Sequence, residues 1–325
     1  MESVKARKLV LSSGSEYYGE GFGADTVRVC EVVFNTSMAG YQEIVSDPSY
    51  TDQAVCMTYP IIGNYGITDE DYETKTPTIG ALIVRDYNDN PSNFRYTKTL
   101  AELMDEYGIP GLAGVDTRRL TREIRSVGSQ RGLLCSADMP LEAALEVLNG
   151  TELRHDQVRR VSCTKRWYSR TSNHRFTVVA VDCGIKLGMV KALNARGCNV
   201  TVVPYNTTAE EIDFMAPDVI LLSNGPGDPE DVPEVVETVR RRSRFFPNSS
   251  VFSISAVTRI VSPSQRHEVI LAGVLWSVPC SSYPSRAPRL SSPQVYTMPP
   301  SKRPEKAPEL AEMPFLDRNP MLTPR

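Results

Sequence analysis

Apolar and polar positions fall into distinct patterns along this 325-residue chain, and each pattern predicts a different kind of structure. Over residues 1–150, short apolar runs at Lys8–Leu11, Val27–Phe34, Ala54–Tyr59 and Gly80–Val84 are punctuated by Gly, Pro, Asp and Asn. Runs of that length between such breakers read as β-strands. Two helical stretches follow, Thr99–Glu106 and Asp116–Val127. In the second, Leu120, Ile124 and Val127 recur at i, i+4 and i+7, and Asp116 or Thr117 stands where a cap is needed. The expectation is a compact, mixed, β-rich domain over 1–150. Its β-rich segments share one sheet, and the helix Asp116–Val127 lies against it.

Residues 151–173 are polar and charged, with Arg159-Arg160 and Lys165-Arg166 and no sustained period, and read as a linker. Residues 174–240 change register. Phe176–Val181 is a continuous apolar run of the kind buried on both faces of a sheet. Lys186–Asn194 reads as a helix stopped near Gly197, Val200–Val203 as a second strand, and Thr208–Met215 as a short helix capped by Thr207 or Thr208. Val219–Ser223 is a third strand, Asn224-Gly-Pro-Gly-Asp-Pro229 a glycine-rich turn, and Glu234–Arg242 the next helix. This β-α-β-α-β alternation implies right-handed crossovers and a Rossmann-like parallel sheet.

From about Arg241 the pattern breaks. Thirteen of the 24 prolines fall in the last 85 residues, among many serines and arginines. Val269–Trp276 is the longest apolar run there. Proline at this density forbids most ladders and helices. Residues 241–325 therefore read either as a disordered tail or as a segment foreign to the preceding fold, such as a frameshift would produce.

Composition narrows the functional classes. A net charge of -3 gives no electrostatic footprint for nucleic acid or an anionic membrane. No apolar run approaches the roughly 18–20 residues needed to span a bilayer. The apolar stretch after the basic N-terminus is only Leu9–Leu11, too short for a signal-peptide core. The seven cysteines are scattered and odd in number, with no pair at CxxC spacing. That argues against a zinc site or a disulfide framework, and for a cytoplasmic protein.

Several long motifs then occur in order. They are Phe34-Asn-Thr-Ser-Met-Ala-Gly-Tyr-Gln-Glu43, Asp47-Pro-Ser-Tyr50, Thr58-Tyr-Pro-Ile-Ile-Gly-Asn-Tyr-Gly66 and Gly114-Val-Asp-Thr-Arg-Arg-Leu-Thr-Arg-Glu-Ile-Arg125. Further along come Val181-Asp-Cys-Gly-Ile-Lys186, Arg196-Gly-Cys-Asn-Val-Thr-Val-Val-Pro204 and Ser223-Asn-Gly-Pro-Gly-Asp-Pro229. Over about residues 5–240 the chain resembles the small, glutamine-handling subunit of carbamoyl phosphate synthetase. The resemblance implies an α/β chain. A mixed β-rich N-terminal domain of small-subunit type (1–150) and a linker (151–173) precede the first half of a class I glutamine amidotransferase domain (174–240). One departure is Gly188, where the family usually has Asn.

A glycine-rich turn at the carboxyl end of a parallel strand lets a backbone approach a ligand closely, although by itself it is commonly only a turn. The resemblance implies that Gly225 and Gly227 line a glutamine pocket and that Ser49 reaches it from the first domain. From residues alone, Ser49 serves equally as the cap of an Asp-Pro-Ser turn. Cys183 reads as a buried structural cysteine, and Asp116, Arg118 and Arg119 as a helix cap and surface charges. The family's glutaminase needs a cysteine on a strand-to-helix elbow, a histidine base and an orienting glutamate. The elbow's place falls at Ser250-Val-Phe-Ser-Ile-Ser-Ala-Val257, where Ser255 occupies the nucleophile slot without flanking glycines or the following His-Gln. The histidines are His155, His174 and His267, and no His-Pro-x-Glu occurs.

By resemblance the partners are L-glutamine and a large synthetase subunit, which uses ATP and Mg to make carbamoyl phosphate for arginine and pyrimidine synthesis. No phosphate-binding Gly-x-x-x-x-Gly-Lys-Ser/Thr loop and no metal or cofactor motif appear in this chain. Three readings remain open: a glutamine-hydrolysing subunit by family, a non-catalytic docking module, or the product of a disrupted gene.

Overall fold

The computed structural model describes residues 5–245 and 251–253. Ser255 and nearly all of the Pro-rich segment lie outside them. Nine strands arise before residue 137: β1 (Ala6–Leu11), β2 (Glu16–Gly23), β3 (Arg28–Asn35), β4 (Gln53–Met57), β5 (Ile61–Ile62), β6 (Ala81–Ile83), β7 (Asp86–Tyr87), β8 (Pro110–Ala113) and β9 (Gln130–Ser136). Seven of them close into a barrel in the order β1-β2-β8-β6-β4-β3-β9, while β5 and β7 form a small parallel ribbon. Closure leaves the barrel no edge strand open for pairing.

Period-two alternation divides each barrel strand between two cores. In β4, Ala54 and Cys56 join Leu9, Leu11, Val32, Ile83 and Leu134 in one cluster. Val55 and Met57 face the other way, onto Leu100 and Leu103 of helix α2 and onto Tyr41 and Ile44 of α1. These helices are α1 (Tyr41–Val45) and α2 (Leu100–Glu106), followed by α3 (Thr117–Val127) and α4 (Leu141–Gly150). Thr99 caps α2 through a reciprocal capping box with Glu102. Asp116 caps α3 by accepting the Arg119 N–H at 2.9 Å. Each such cap is worth about 1 kcal/mol.

The α3 stripe differs from the expected one. Thr117, Leu120 and Ile124 are buried, whereas Val127 is 69% exposed. Val127 is the last helical residue, next to the Gly128 cap with φ 101, and lies past the surface that the helix covers. The single sheet expected over 1–150 is a closed barrel because β2, β8 and β9 complete it. Glycines interrupt β2 and β9 where their backbones crowd neighbours. A Cβ on Gly19 would stand 2.0 Å from the Ala113 carbonyl oxygen, and one on Gly132 2.5 Å from a Val32 methyl. Helix α4, also unforeseen, packs Ala144 and Leu148 on Val10, Leu133 and Cys135.

Residues 151–173 hold regular structure that their polarity hides: helix α5 (Gln157–Val161) and strand β10 (Trp167–Ser169). One turn of helix and three residues of strand are too short to display a period. The second sheet adds β11 (Phe176–Asp182), β12 (Cys198–Pro204), β13 (Val219–Leu222) and β14 (Val251–Ser253). Its order is β10-β12-β11-β13-β14. Strand β10 runs antiparallel to β12, and the remaining pairs are parallel. Helices α6 (Leu187–Ala195), α7 (Ala209–Phe214) and α8 (Pro233–Phe245) alternate with the strands. Val179 and Val181 of β11 enter one apolar cluster with Ile212, Ile220 and Val235. Val178 and Ala180 enter another with Val190, Val200 and Leu221 on the opposite face. Regular structure thus continues past Arg241, through the end of α8 and into β14.

Candidate functional site

The site forms where the carboxyl ends of β11 and β13 meet a segment of the barrel unit. Ser49 lies in a single 3-10 turn, Pro48–Tyr50, whose cap Asp47 accepts the Ser49 N–H at 2.9 Å. The turn-cap reading of this motif is therefore realised by Asp47, which leaves the Ser49 hydroxyl for a partner outside the turn. Asn224 Nδ2 donates to Ser49 Oγ at 2.5 Å across 175 positions of sequence.

The glycine-rich turn after β13 is shaped by its neighbours. Ser223 Oγ accepts the Cys183 N–H at 2.9 Å and donates to the Asn224 carbonyl at 2.8 Å. A Cβ on Gly225 would stand 2.0 Å from the Cys183 carbonyl oxygen, so only glycine fits the backbone as it lies. Gly227 has φ +76, in the left-handed region that favours glycine. Under this turn, Asp182 Oδ1 accepts the N–H groups of Gly184 and Ile185 at 2.9 and 2.8 Å. Asp182 Oδ2 accepts the Cys163 N–H at 2.8 Å. Gly225 and Gly227 thus share one turn, and Asn224 of that turn brings Ser49 to it.

Sequence reading missed the residues that join the two units. Lys186 Nζ lies 2.5 Å from Asp47 Oδ2. Glu73 meets the start of α6: its carbonyl accepts the Leu187 N–H at 2.9 Å and its carboxylate the Gly188 N–H at 2.8 Å. A Cβ at position 188 would stand 2.9 Å from that carboxylate, a conflict that a small shift of the flexible Glu73 side chain relieves. Arg160 of α5 forms an ion pair with Asp52. No periodicity could disclose such contacts, because each links residues far apart in sequence.

Cys183 is 8% exposed. Burial pushes its thiol up to about 12, with Asp182 adding to the shift. Burial likewise raises every other described cysteine. A thiol so raised carries little thiolate at neutral pH, and the thiolate is the nucleophile. His155 is exposed, with Nδ1 3.1 Å from Asp231 Oδ2, and His174 is exposed ahead of β11. Strand β14 ends at Ser253 beside Leu222, at the sheet edge that also bears the Asn224 turn. Among the described residues, no group of three or more His, Cys, Asp or Glu is placed to hold a metal ion. No helix among them is long and apolar enough to cross a membrane.

Comparisons with known proteins agree with this division. Residues 9–134 match the family model "Carbamoyl-phosphate synthase small chain, CPSase domain", and residues 179–253 match "Glutamine amidotransferase class-I". Fold and matches together define the class: a small-chain barrel domain joined to class I amidotransferase sequence. Over these residues the chain belongs to the carbamoyl phosphate synthase small-chain family.

The carbamoyl phosphate synthase small chain of Fusobacterium nucleatum is 49% identical over 234 residues, covering 72% of this chain and 65% of that protein. The pyrimidine-specific small chain of Bacillus subtilis is 50% identical over 234 residues, covering 72% and 64% respectively. The carbamoyl phosphate synthase small chain of Bacillus caldolyticus is 50% identical over 235 residues, again covering 72% of this chain and 64% of that protein. The chain thus spans just under two thirds of the length of these relatives. A solved aminopeptidase from Aneurinibacillus sp. strain AM-1 covers 68% of this chain and 57% of its own, at TM-score 0.26 and 9% identity. That likeness is too slight to bear on fold or function.

Proposed function

We propose that this chain is a cytoplasmic small subunit of glutamine-dependent carbamoyl phosphate synthase that docks on a large synthetase subunit without hydrolysing glutamine. Ser49, Gly225 and Gly227 form the glutamine-facing side of its site. The observation that carries the reading is the contact between Asn224 and Ser49 at 2.5 Å, which unites the barrel segment with the glycine turn. The large subunit, by the chemistry of its reaction, uses ATP and Mg, and this chain supplies neither.

Loss of hydrolysis follows from the residues after β14. Covalent amide hydrolysis needs an activated nucleophile with a base within hydrogen-bond reach. Burial keeps the described cysteines as thiols, and in the sequence Ser255 falls at the family's nucleophile slot without the flanking glycines that a strained elbow requires. A serine hydroxyl is far less acidic than a thiol and depends wholly on a placed base. The docking reading is supported by the barrel, whose seven strands close on one another.

Reconstitution with a large subunit of the family tests the proposal. Carbamoyl phosphate should form with ammonium as nitrogen donor and not with glutamine. Glutamine-supported synthesis at a rate comparable to that with ammonium would overturn it. Failure to co-purify with the large subunit would remove the docking role.

A further inference from the structure

Helix α5 occupies a segment whose composition reads as a linker, yet it touches both units. Val158 packs in the cluster of Val179, Val181 and Cys183 beneath the second sheet. Gln157 Oε1 lies 3.2 Å from where a Cβ on Gly227 would stand, so the helix flanks the glycine turn. Ser162, at the helix end, accepts the Tyr205 N–H at 3.0 Å and ties α5 to the end of β12. On its other side Arg160 grips Asp52 through both terminal guanidinium nitrogens, with Nη1 3.4 Å from Oδ1. Its Nε donates to Asp156 at 3.1 Å, which fixes the guanidinium plane.

Asp52 closes the segment that carries Ser49. Its φ of +62 lies in the left-handed region, which Asp and Asn tolerate better than other non-glycine residues. Its N–H donates to the Thr78 carbonyl at 3.0 Å, which anchors the segment to the barrel. Arg160 and Asp52 are 32% and 29% exposed, so the pair is partly shielded from water. Position therefore passes along one chain of contacts: from Ser49 through Asp52 to Arg160, along α5, and through the Val158 cluster to Cys183, whose N–H bonds to Ser223 ahead of the glycine turn.

We propose that Arg160 is a positioning residue that, through Asp52, sets the spacing between Ser49 and the Gly225–Gly227 turn. This inference rests on the reading that Ser49 and the turn face one ligand, and it adds α5 as the element that holds them in register. Arg160 itself touches no ligand in this scheme.

The full chain is studied as wild type, Arg160→Ala, Asp52→Asn, the double variant and Arg160→Lys. Asp52→Asn removes the charge while keeping a side chain that accepts φ above zero. Hydrogen exchange is followed at Ser49–Asp52, Asn224–Asp228 and, as a control, β1. L-glutamine binding is measured by calorimetry.

Each single variant should speed exchange at both Ser49–Asp52 and Asn224–Asp228 by about threefold to tenfold, with β1 unchanged, the scale expected for a partly shielded, bidentate ion pair. The double variant should be no worse than either single one, because both remove the same link. Arg160→Lys should recover part of the effect, keeping the charge without the planar fork. Glutamine affinity should fall by a similar factor. Faster exchange confined to α5, or additive effects in the double variant, would overturn the proposal. If the wild type binds no glutamine, the ligand reading fails, and the coupling stands or falls on exchange at the two segments.

Discussion

The barrel unit and the second sheet are built from similar runs of buried β-residues, but they end differently. In the barrel each of seven strands has two partners, and three apolar clusters fill its inside and its outer faces. The second sheet is open, and β11 holds the most buried position, with clusters on both faces. Its carboxyl edge leans on the barrel unit through Ser49, Asp47, Glu73 and Asp52. The barrel therefore holds its shape through its own ladder. The sheet's working edge takes part of its shape from the barrel.

Cavity-forming substitutions should separate the two most strongly. Leu112→Ala, at a fully buried barrel site, should destabilise by about 3–5 kcal/mol, because a closed barrel collapses poorly around a void. Leu221→Ala, 2% exposed in β13, should cost about 2–3 kcal/mol, as the open sheet relaxes more readily. Denaturant unfolding followed by probes in each unit checks both values. Equal losses would erase the contrast.

Two glycines with the same steric conflict give the next largest effect. A Cβ on Gly19 or on Gly225 would stand 2.0 Å from a backbone oxygen, of Ala113 and Cys183 respectively. Each change to Ala should destabilise by about 2 kcal/mol through forced backbone shifts. Gly19→Ala should loosen hydrogen exchange across the barrel, and Gly225→Ala only around Cys183–Lys186 and Asn224–Asp228. Barrel-wide loosening in Gly225→Ala would show that the units unfold as one.

Caps come next, near 1 kcal/mol. Asp116→Ala should weaken α3 on the barrel, and Thr208→Ala should weaken α7, whose Thr208–Glu211 capping box is complete. Helix-specific exchange reports each one separately.

The smallest effect is a pair of carboxylates. In Glu123 burial opposes ionisation, but hydrogen bonds from Tyr17, Ser13 and Ser15 prevail and hold it below the usual range. Hydrogen bonds from the Thr177 N–H and hydroxyl hold Asp218 low. A lowered folded pKa gives stability that is present above the unfolded value and lost as pH falls through the folded one. The stability gap between wild type and Glu123→Gln, or Asp218→Asn, should therefore shrink as pH drops below about 4. A gap independent of pH would sink the assignment.

Much of this fold was legible because its signals are local. The apolar run Phe176–Val181 falls in β11, and Thr208, one of the two candidate caps, caps α7. The turn Asn224–Pro229 stands at a strand end, as its glycines indicate. What escaped has physical reasons. Strand β2 is Glu-Tyr-Tyr-Gly-Glu-Gly-Phe-Gly, in which close backbone approach replaces side-chain burial. Helix α5 and strand β10 are too short to carry a period. In the candidate site, the family resemblance implied Ser49 and the two glycines, and the structure brings them to one turn through Asn224. Asn224, Lys186, Glu73 and Arg160 act through contacts between distant segments, which a single sequence does not display.

The central claim is that the chain keeps the glutamine-facing residues without the means to hydrolyse glutamine. Glutamate release from glutamine by the purified chain, with and without a large subunit, tests it most directly. The account predicts no release above the uncatalysed background, for the wild type and for Ser255→Ala alike. Steady release that survives Ser255→Ala would contradict it. Release abolished by Ser255→Ala would contradict it too, by showing that serine had taken the nucleophile's place.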